Sequence, residues 1–229
     1  MATYRVLVSD PISEKGVDAL RSAPEISVDV NTGLKPEELL KIIGDYHGLV
    51  VRSQTKVTPE VFAAAKNLKA IGRAGVGVDN IGRAAATDHG VVVMNTPSGN
   101  TISTAEHAFS LMLSLARNIP QAHATVIAGK WDRKSFEGVE VFGKRLAILG
   151  MGRIGTEFAK RAQAFGITVV AYDPFLTADR AKSLKVEHAE TPEAALTGAD
   201  LVTLHVPLTP ETQHIINADR IALLNKGAL

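Results

Sequence analysis

Along the first hundred residues, short apolar runs alternate with stretches in which apolar residues recur every three or four positions. Residues 5–8 read as a strand, and 13–22 as a helix with Val17 and Leu20 on one face. A strand at 28–30 precedes a helix at 36–43, where Pro36 stands at a first helical position. Residues 48–51, 59–65, 70–72 and 91–94 continue as strand, helix, strand and strand. Strands alternating with helices need crossover connections, so the pattern predicts a parallel sheet with helices on its faces.

A cluster of turn residues at 95–100 marks a domain boundary near residue 97. Beyond it a helix runs to 115–118, with Ser103 and Glu106 spaced as a capping box. Residues 120–143 turn from amphipathic to polar and hold Trp131, which reads equally as an interface anchor or a buried loop anchor. Strands at 145–149, 167–172, 186–188 and 201–204 then alternate with helices at 153–165, 178–184, 192–196 and 217–224. A fifth strand is predicted to begin at 227–229, where the sequence stops. The expectation is a truncated or proteolysed form of a longer protein, with strand 201–204 left as an exposed, aggregation-prone edge.

Composition narrows the classes. With 25 Lys+Arg against 24 Asp+Glu and 45% hydrophobic residues, the chain is neither a disordered tail nor a strongly basic nucleic-acid binder. It has no cysteine, which removes disulfides and thiolate metal sites, and its histidines show no paired ligand spacing, so no metal is expected. The most apolar helical stretch, 108–116, is far shorter than the roughly 20 residues a membrane span needs. Residues 1–10 lack the apolar run of an export signal, and the expected compartment is the cytoplasm.

One motif carries chemistry outright. Gly150-Met151-Gly152-Arg153-Ile154-Gly155 follows an apolar strand and opens a helix, and Asp173 ends the next strand. This is the dinucleotide fingerprint of a Rossmann-type doubly wound parallel sheet. Gly150 allows the tight turn, Gly152 lets a pyrophosphate approach the backbone, and Gly155 lets the helix pack closely. The free N–H groups at the helix start then face the phosphates. Asp173 can accept from both ribose hydroxyls of NAD. It would repel a 2′-phosphate about 4 Å away by roughly 4 kcal/mol at an effective dielectric near 20. NAD is therefore the expected cofactor. His205-Val206-Pro207, at the end of the fourth strand of this half, reads either as a wall of the cofactor crevice or as a strand stopped by proline.

In order along the chain stand Arg73-Ala74-Gly75-Val76-Gly77-Val78-Asp79-Asn80, Met94-Asn95-Thr96-Pro97 with Asn100, the glycine fingerprint, and Tyr172-Asp173-Pro174. By these the chain resembles the D-isomer-specific 2-hydroxyacid dehydrogenases over its whole length. Val51-Arg52-Ser53 and Gly129-Lys130-Trp131-Asp132-Arg133-Lys134 resemble the members that act on a phosphorylated 2-hydroxy acid. The resemblance implies a flavodoxin-like α/β substrate domain at 1–97 without its returning C-terminal segment. It also implies a C-terminally incomplete NAD domain at 98–229. The Gly75-Val76 turn would hold the substrate carboxylate, with Val76 bordering the nicotinamide, and Arg52, Ser53 and Asn100 would line the pocket. Arg73, Arg133 and Lys134 are the phosphate candidates, the last two from a partner subunit of a homodimer or homotetramer. Arg153, Ile154, Asp173, Pro174, His205, Val206, Pro207 and Thr212 would contact NAD. The family's catalytic arginine, glutamate and histidine would all lie beyond Leu229. Two alternatives stand beside this reading: a reductase of glyoxylate or hydroxypyruvate, and a non-catalytic NAD-sensing protein.

Overall fold

Every strand pair in the structure is parallel, and helices make the crossovers. The computed structural model describes residues 3–229. The chain divides into two units, Met1–Asn100 and Thr101–Leu229.

The first unit contains β1 (Tyr4–Val8), α1 (Glu14–Arg21), β2 (Ile26–Val30), α2 (Pro36–Ile42), β3 (Gly48–Val51), α3 (Pro59–Ala64), β4 (Ala70–Arg73), α4 (Arg83–Asp88) and β5 (Val92–Asn95). The sheet order is β2-β1-β3-β4-β5, the flavodoxin-like order. Leu7, Leu49, Val51 and Ile71 point to one face and are closed over by Leu39, Ile43, Val61, Phe62 and Ala86 from the helices. On the opposite face Val6 and Val8 are buried. There Gly16 and Leu20 of α1, with Val50, Gly72 and Met94, line an open groove. The register sets Val51 beside Arg73 and Arg73 beside Asn95, so three strands end abreast.

The second unit contains α5 (Thr101–Ala116), α6 (Ile119–Ile127), β6 (Arg145–Leu149), α7 (Arg153–Ala164), β7 (Thr168–Tyr172), α8 (Ala178–Ser183), β8 (Glu187–His188), α9 (Pro192–Leu196), β9 (Leu201–Leu204) and α10 (Ala218–Ile221). Its order, β8-β7-β6-β9, is the 3-2-1-4 half of a doubly wound sheet. Alternation along β6 builds two cores. Leu146 and Ile148 meet Phe109 of α5 and Phe158 of α7, while Ala147 and Leu149 meet Leu196, Ala199 and Ile215. The Phe109 ring sits edge-on to Phe158 at 5.5 Å and to Phe165 at 4.9 Å, an arrangement that the ring quadrupoles favour.

Several expectations from the sequence need correction. Helix α4 was not foreseen: it buries only Ala86, so it shows no apolar period. Helix α5 begins at Thr101, which puts Ser103 inside the first turn and not at a capping position. Helix α10 is shorter than 217–224, because Leu223 and Leu224 bond three residues back in tightened turns. Trp131 is 81% exposed, so it is no buried anchor. Nor is the outer edge of β9 bare at its start. The Val202 N–H donates to the Leu229 carbonyl at 2.9 Å, and the Leu229 N–H to the Asp200 carbonyl at 3.0 Å. Among the described residues no helix is long and apolar enough to cross a membrane.

Phe158 is fully buried between the α5–α7 pair and the sheet. Its replacement by alanine is expected to destabilise the second unit by about 3–5 kcal/mol. Urea unfolding followed by circular dichroism reads this as a lowered midpoint. An unchanged midpoint would mean that this core does not hold the unit together.

Candidate functional site

Ligands of open parallel sheets bind beyond the carboxyl ends of the strands. In the second unit that rim begins with the turn from β6 into α7. Gly150 has φ +101°, a region closed to most side chains, and a Cβ there would lie 2.7 Å from the His205 carbonyl. A Cβ on Gly155 would fall on the Gly150 carbonyl oxygen, so α7 packs against the turn itself. Gly152 is different: nothing stands within 4 Å of where its Cβ would be. Helix α7 starts there without a side-chain cap, and its first hydrogen bond runs from the Thr156 N–H to the Gly152 carbonyl. The amides of Arg153, Ile154 and Gly155 are left for an anion.

Asp173 closes this turn from the neighbouring strand. Its Oδ2 accepts the Met151 N–H at 2.8 Å and its Oδ1 the Phe175 N–H at 2.8 Å. Each oxygen keeps a lone pair for a ribose hydroxyl, with the carboxylate held in place by backbone donors. Pro174 is exposed beside it, and Phe175 is 91% exposed. Across the rim Leu208 is 85% exposed, after Val206 and Pro207. The Thr212 hydroxyl is engaged locally: it donates to the Pro207 carbonyl at 2.5 Å and accepts the Thr209 N–H at 2.8 Å. His205 is half-buried, with Nε2 3.1 Å from the Thr203 hydroxyl and its ring 5.3 Å from Phe158. Burial pushes its pKa below the usual histidine value, because desolvation disfavours the charged ring. The open glycine, the free helix amides and the fixed carboxylate fit a dinucleotide.

The first unit gathers its polar residues on the corresponding rim. Beyond β3 come Arg52 and Ser53, both exposed; beyond β4 comes the Gly75-Val76-Gly77 turn; beyond β5 comes Thr96. The Thr96 N–H donates to the Gly75 carbonyl at 3.0 Å and the Asn95 side chain to the Val76 carbonyl at 2.6 Å, so β5 pins the turn. The Gly75 N–H is taken by the Arg73 carbonyl at 2.8 Å. Those of Val76 and Gly77 have no acceptor among the described residues and are open to a ligand's acceptor atoms.

Arg73, read from the sequence as a phosphate contact, is placed differently. Its side chain is 10% exposed, its Nε donates to Asn80 Oδ1 at 2.7 Å, and its Nη2 lies 3.8 Å from Asp79. A Cβ on Gly75 would meet Arg73 Nη1 at 2.5 Å, so the guanidinium lies against the glycine turn. Two residues not singled out as site residues hold this rim. Asp10, 2% exposed, accepts the Arg52 N–H at 2.6 Å and the Thr55 hydroxyl at 2.6 Å. Asn80, 5% exposed, donates to the carbonyls of Arg52 and Thr55 at 2.7 Å each. The available sequence signal was an acid closing an apolar strand and an amide following a glycine turn. Asn100 is exposed in the turn before α5, and Arg133 and Lys134 are exposed between α6 and β6. Close by, Asp132 accepts the Ser135 N–H, and hydrogen bonds from Ser135 hold its carboxyl below the usual range.

Residues 109–229 match the NAD binding domain of the D-isomer specific 2-hydroxyacid dehydrogenases. A D-3-phosphoglycerate dehydrogenase from Methanocaldococcus jannaschii is 50% identical over 98% of this chain, which spans 43% of that protein. A hydroxypyruvate reductase from Thermotoga maritima is 44% identical over all of the chain and 73% of its own length. The crystal structure of an NAD+-bound 3-phosphoglycerate dehydrogenase from Entamoeba histolytica superposes with a TM-score of 0.81 at 29% identity, over 99% of this chain and 70% of that one. The chain thus spans less than half the length of the phosphoglycerate dehydrogenase relative and most of the reductase. The glycine fingerprint with its fixed acid and the family match over the same half agree: the chain belongs to the D-isomer specific 2-hydroxyacid dehydrogenases.

Proposed function

We propose that the protein containing this chain oxidises D-3-phosphoglycerate to 3-phosphohydroxypyruvate with NAD, the first step of serine biosynthesis. The observation that carries the reading is the rim of the first unit. There an exposed Arg52, held by its own backbone, stands beside a turn with two free N–H donors. A carboxylate suits the Val76 and Gly77 donors, with Arg52, Ser53 and Asn100 around it. Arg73 lends its charge from within the turn. Arg133 and Lys134, contributed by a partner subunit, would take the phosphate. When bound, NAD accepts the hydride from C2. The chain's own part is to orient that cofactor through Asp173 and the α7 amides. The proton-transfer histidine and glutamate and the family's arginine are assigned to the further length that the relatives carry.

A homodimer or homotetramer goes with this reading. Leu111, Leu115, Ile119, Val126, Ile127 and Phe142 are exposed along α5, α6 and the segment after them, with Trp131 beside them. Such apolar surface is what subunit interfaces cover. We place the protein in the cytoplasm, the compartment expected from its sequence.

A second reading, reduction of hydroxypyruvate or glyoxylate, is favoured by the Thermotoga relative, which the chain covers more fully than it does the phosphoglycerate dehydrogenases. The phosphate decides between them. In the full-length enzyme, Arg133→Ala with Lys134→Ala should raise KM for 3-phosphohydroxypyruvate by about tenfold or more and leave KM for glyoxylate in place. Wild-type preference for the unphosphorylated acid, with no effect of the double substitution, would establish the second reading instead.

The cofactor choice is tested at Asp173. Asp173→Asn keeps the size and one acceptor while removing the charge that opposes a 2′-phosphate. The NAD-over-NADP preference, measured as the ratio of kcat/KM values, should fall by up to about a thousandfold. A preference that survives this substitution would place the discrimination elsewhere.

A further inference from the structure

Buried polar groups of the first unit converge on one side chain. Asn80 donates through Nδ2 to the carbonyls of Arg52 and Thr55, and its Oδ1 accepts from Arg73 Nε, all three bonds at 2.7 Å. A carboxamide can supply two donors and an acceptor from one small planar group; a carboxylate or a hydroxyl cannot. The two donors hold residues 52–55 from one side. Asp10 holds the same residues from the other, through the N–H groups of Arg52 and Thr55 and the Thr55 hydroxyl. Both peptide groups of Arg52 are therefore tied, and its exposed side chain leaves from a fixed Cα.

The Asn80 oxygen does a second thing. With Nε engaged, the Arg73 guanidinium lies against the glycine turn, its Nη1 2.5 Å from where a Cβ on Gly75 would stand. Its other neighbour, Asp79, is 80% exposed and 3.8 Å away, so it balances the charge only weakly. One buried amide thus connects a cation at the end of β4, the backbone of a cation beyond β3, and the turn whose Val76 and Gly77 donors are free.

Resting on the reading of this rim as the carboxylate site, we propose that Asn80 is a positioning residue for the substrate anion. It holds the Arg52 backbone and the Arg73 guanidinium in the register that lets the glycine turn and both cations act on one ligand. Asn80 touches no substrate in this assignment; it acts through the two arginines. Its loss weakens anion binding without touching the cofactor.

The test uses the full-length protein, with oxalate as the probe because it places two carboxylates side by side as a 2-oxo acid places its polar groups. Asn80→Asp keeps the shape and the acceptor for Arg73 and loses both donors. Arg73→Lys keeps the charge and loses the Nε donor. Both variants should bind oxalate about tenfold more weakly by calorimetry and keep the wild-type Kd for NADH. In turnover, KM for the hydroxy acid should rise while KM for NAD stays. A merely structural role would instead lower the folded fraction and scale kcat with KM unmoved.

A folded Asn80→Asp variant with unaltered oxalate affinity overturns the proposal. If that variant does not fold, Arg73→Lys decides, because unaltered affinity there means that charge alone matters and its aim does not. Wild-type protein that binds NADH but no oxalate sinks the carboxylate-site reading itself, and the positioning role with it.

Discussion

Parallel pairing puts the carboxyl ends of all strands of a sheet on one rim, and the rest of this molecule follows from that constraint. In the first unit the register of β3, β4 and β5 brings Val51, Arg73 and Asn95 level, so the residues just beyond them meet although they come from distant parts of the sequence. In the second unit the same constraint sets the β6–α7 turn between Asp173 and His205. Backbone hydrogen bonds within each sheet take care of the strand peptides, and the polar side chains are left to organise the loops above them.

The two glycine turns solve different problems. At Gly150 the backbone itself requires glycine, because φ is positive and the β9 end lies against it; at Gly155 the close approach of α7 requires it. At Gly75 neither reason applies. There a guanidinium lies where a side chain would project, and a side chain at that position would have to displace it. The first turn makes room for a ligand that brings its own negative charge. The second is already backed by a positive charge from the protein, which suits the small carboxylate proposed to bind there.

Burial separates the arginines by surroundings. Arg73 is sheltered and satisfied by a buried amide, so it can strengthen a local field at little entropic cost when an anion arrives. Arg52, Arg133 and Lys134 remain in solvent and are free to reach a ligand. Among the carboxylates, Asp10 and Asp173 each hold a strand-end loop by accepting backbone N–H groups, one at each rim.

The order of elements, the two parallel sheets and the dinucleotide turn were legible in the residues themselves. Apolar period, proline at helix starts and glycine at tight turns act over a few neighbouring positions, and the fingerprint with Asp173 lies within one β–α–β unit. Helix α4 and the true start of α5 were not legible, since Ala86 gives no period and a spaced Ser–Glu pair occurs inside helices as well as at their ends. The placement of Arg73 and the Asp10–Asn80 framework belonged to the tertiary structure alone. Asp10 and Thr55 are 45 positions apart and Asn80 and Arg52 are 28 apart, and only strand register makes them neighbours. Where an arginine points depends on which partners the fold brings to it, and no local pattern encodes those partners.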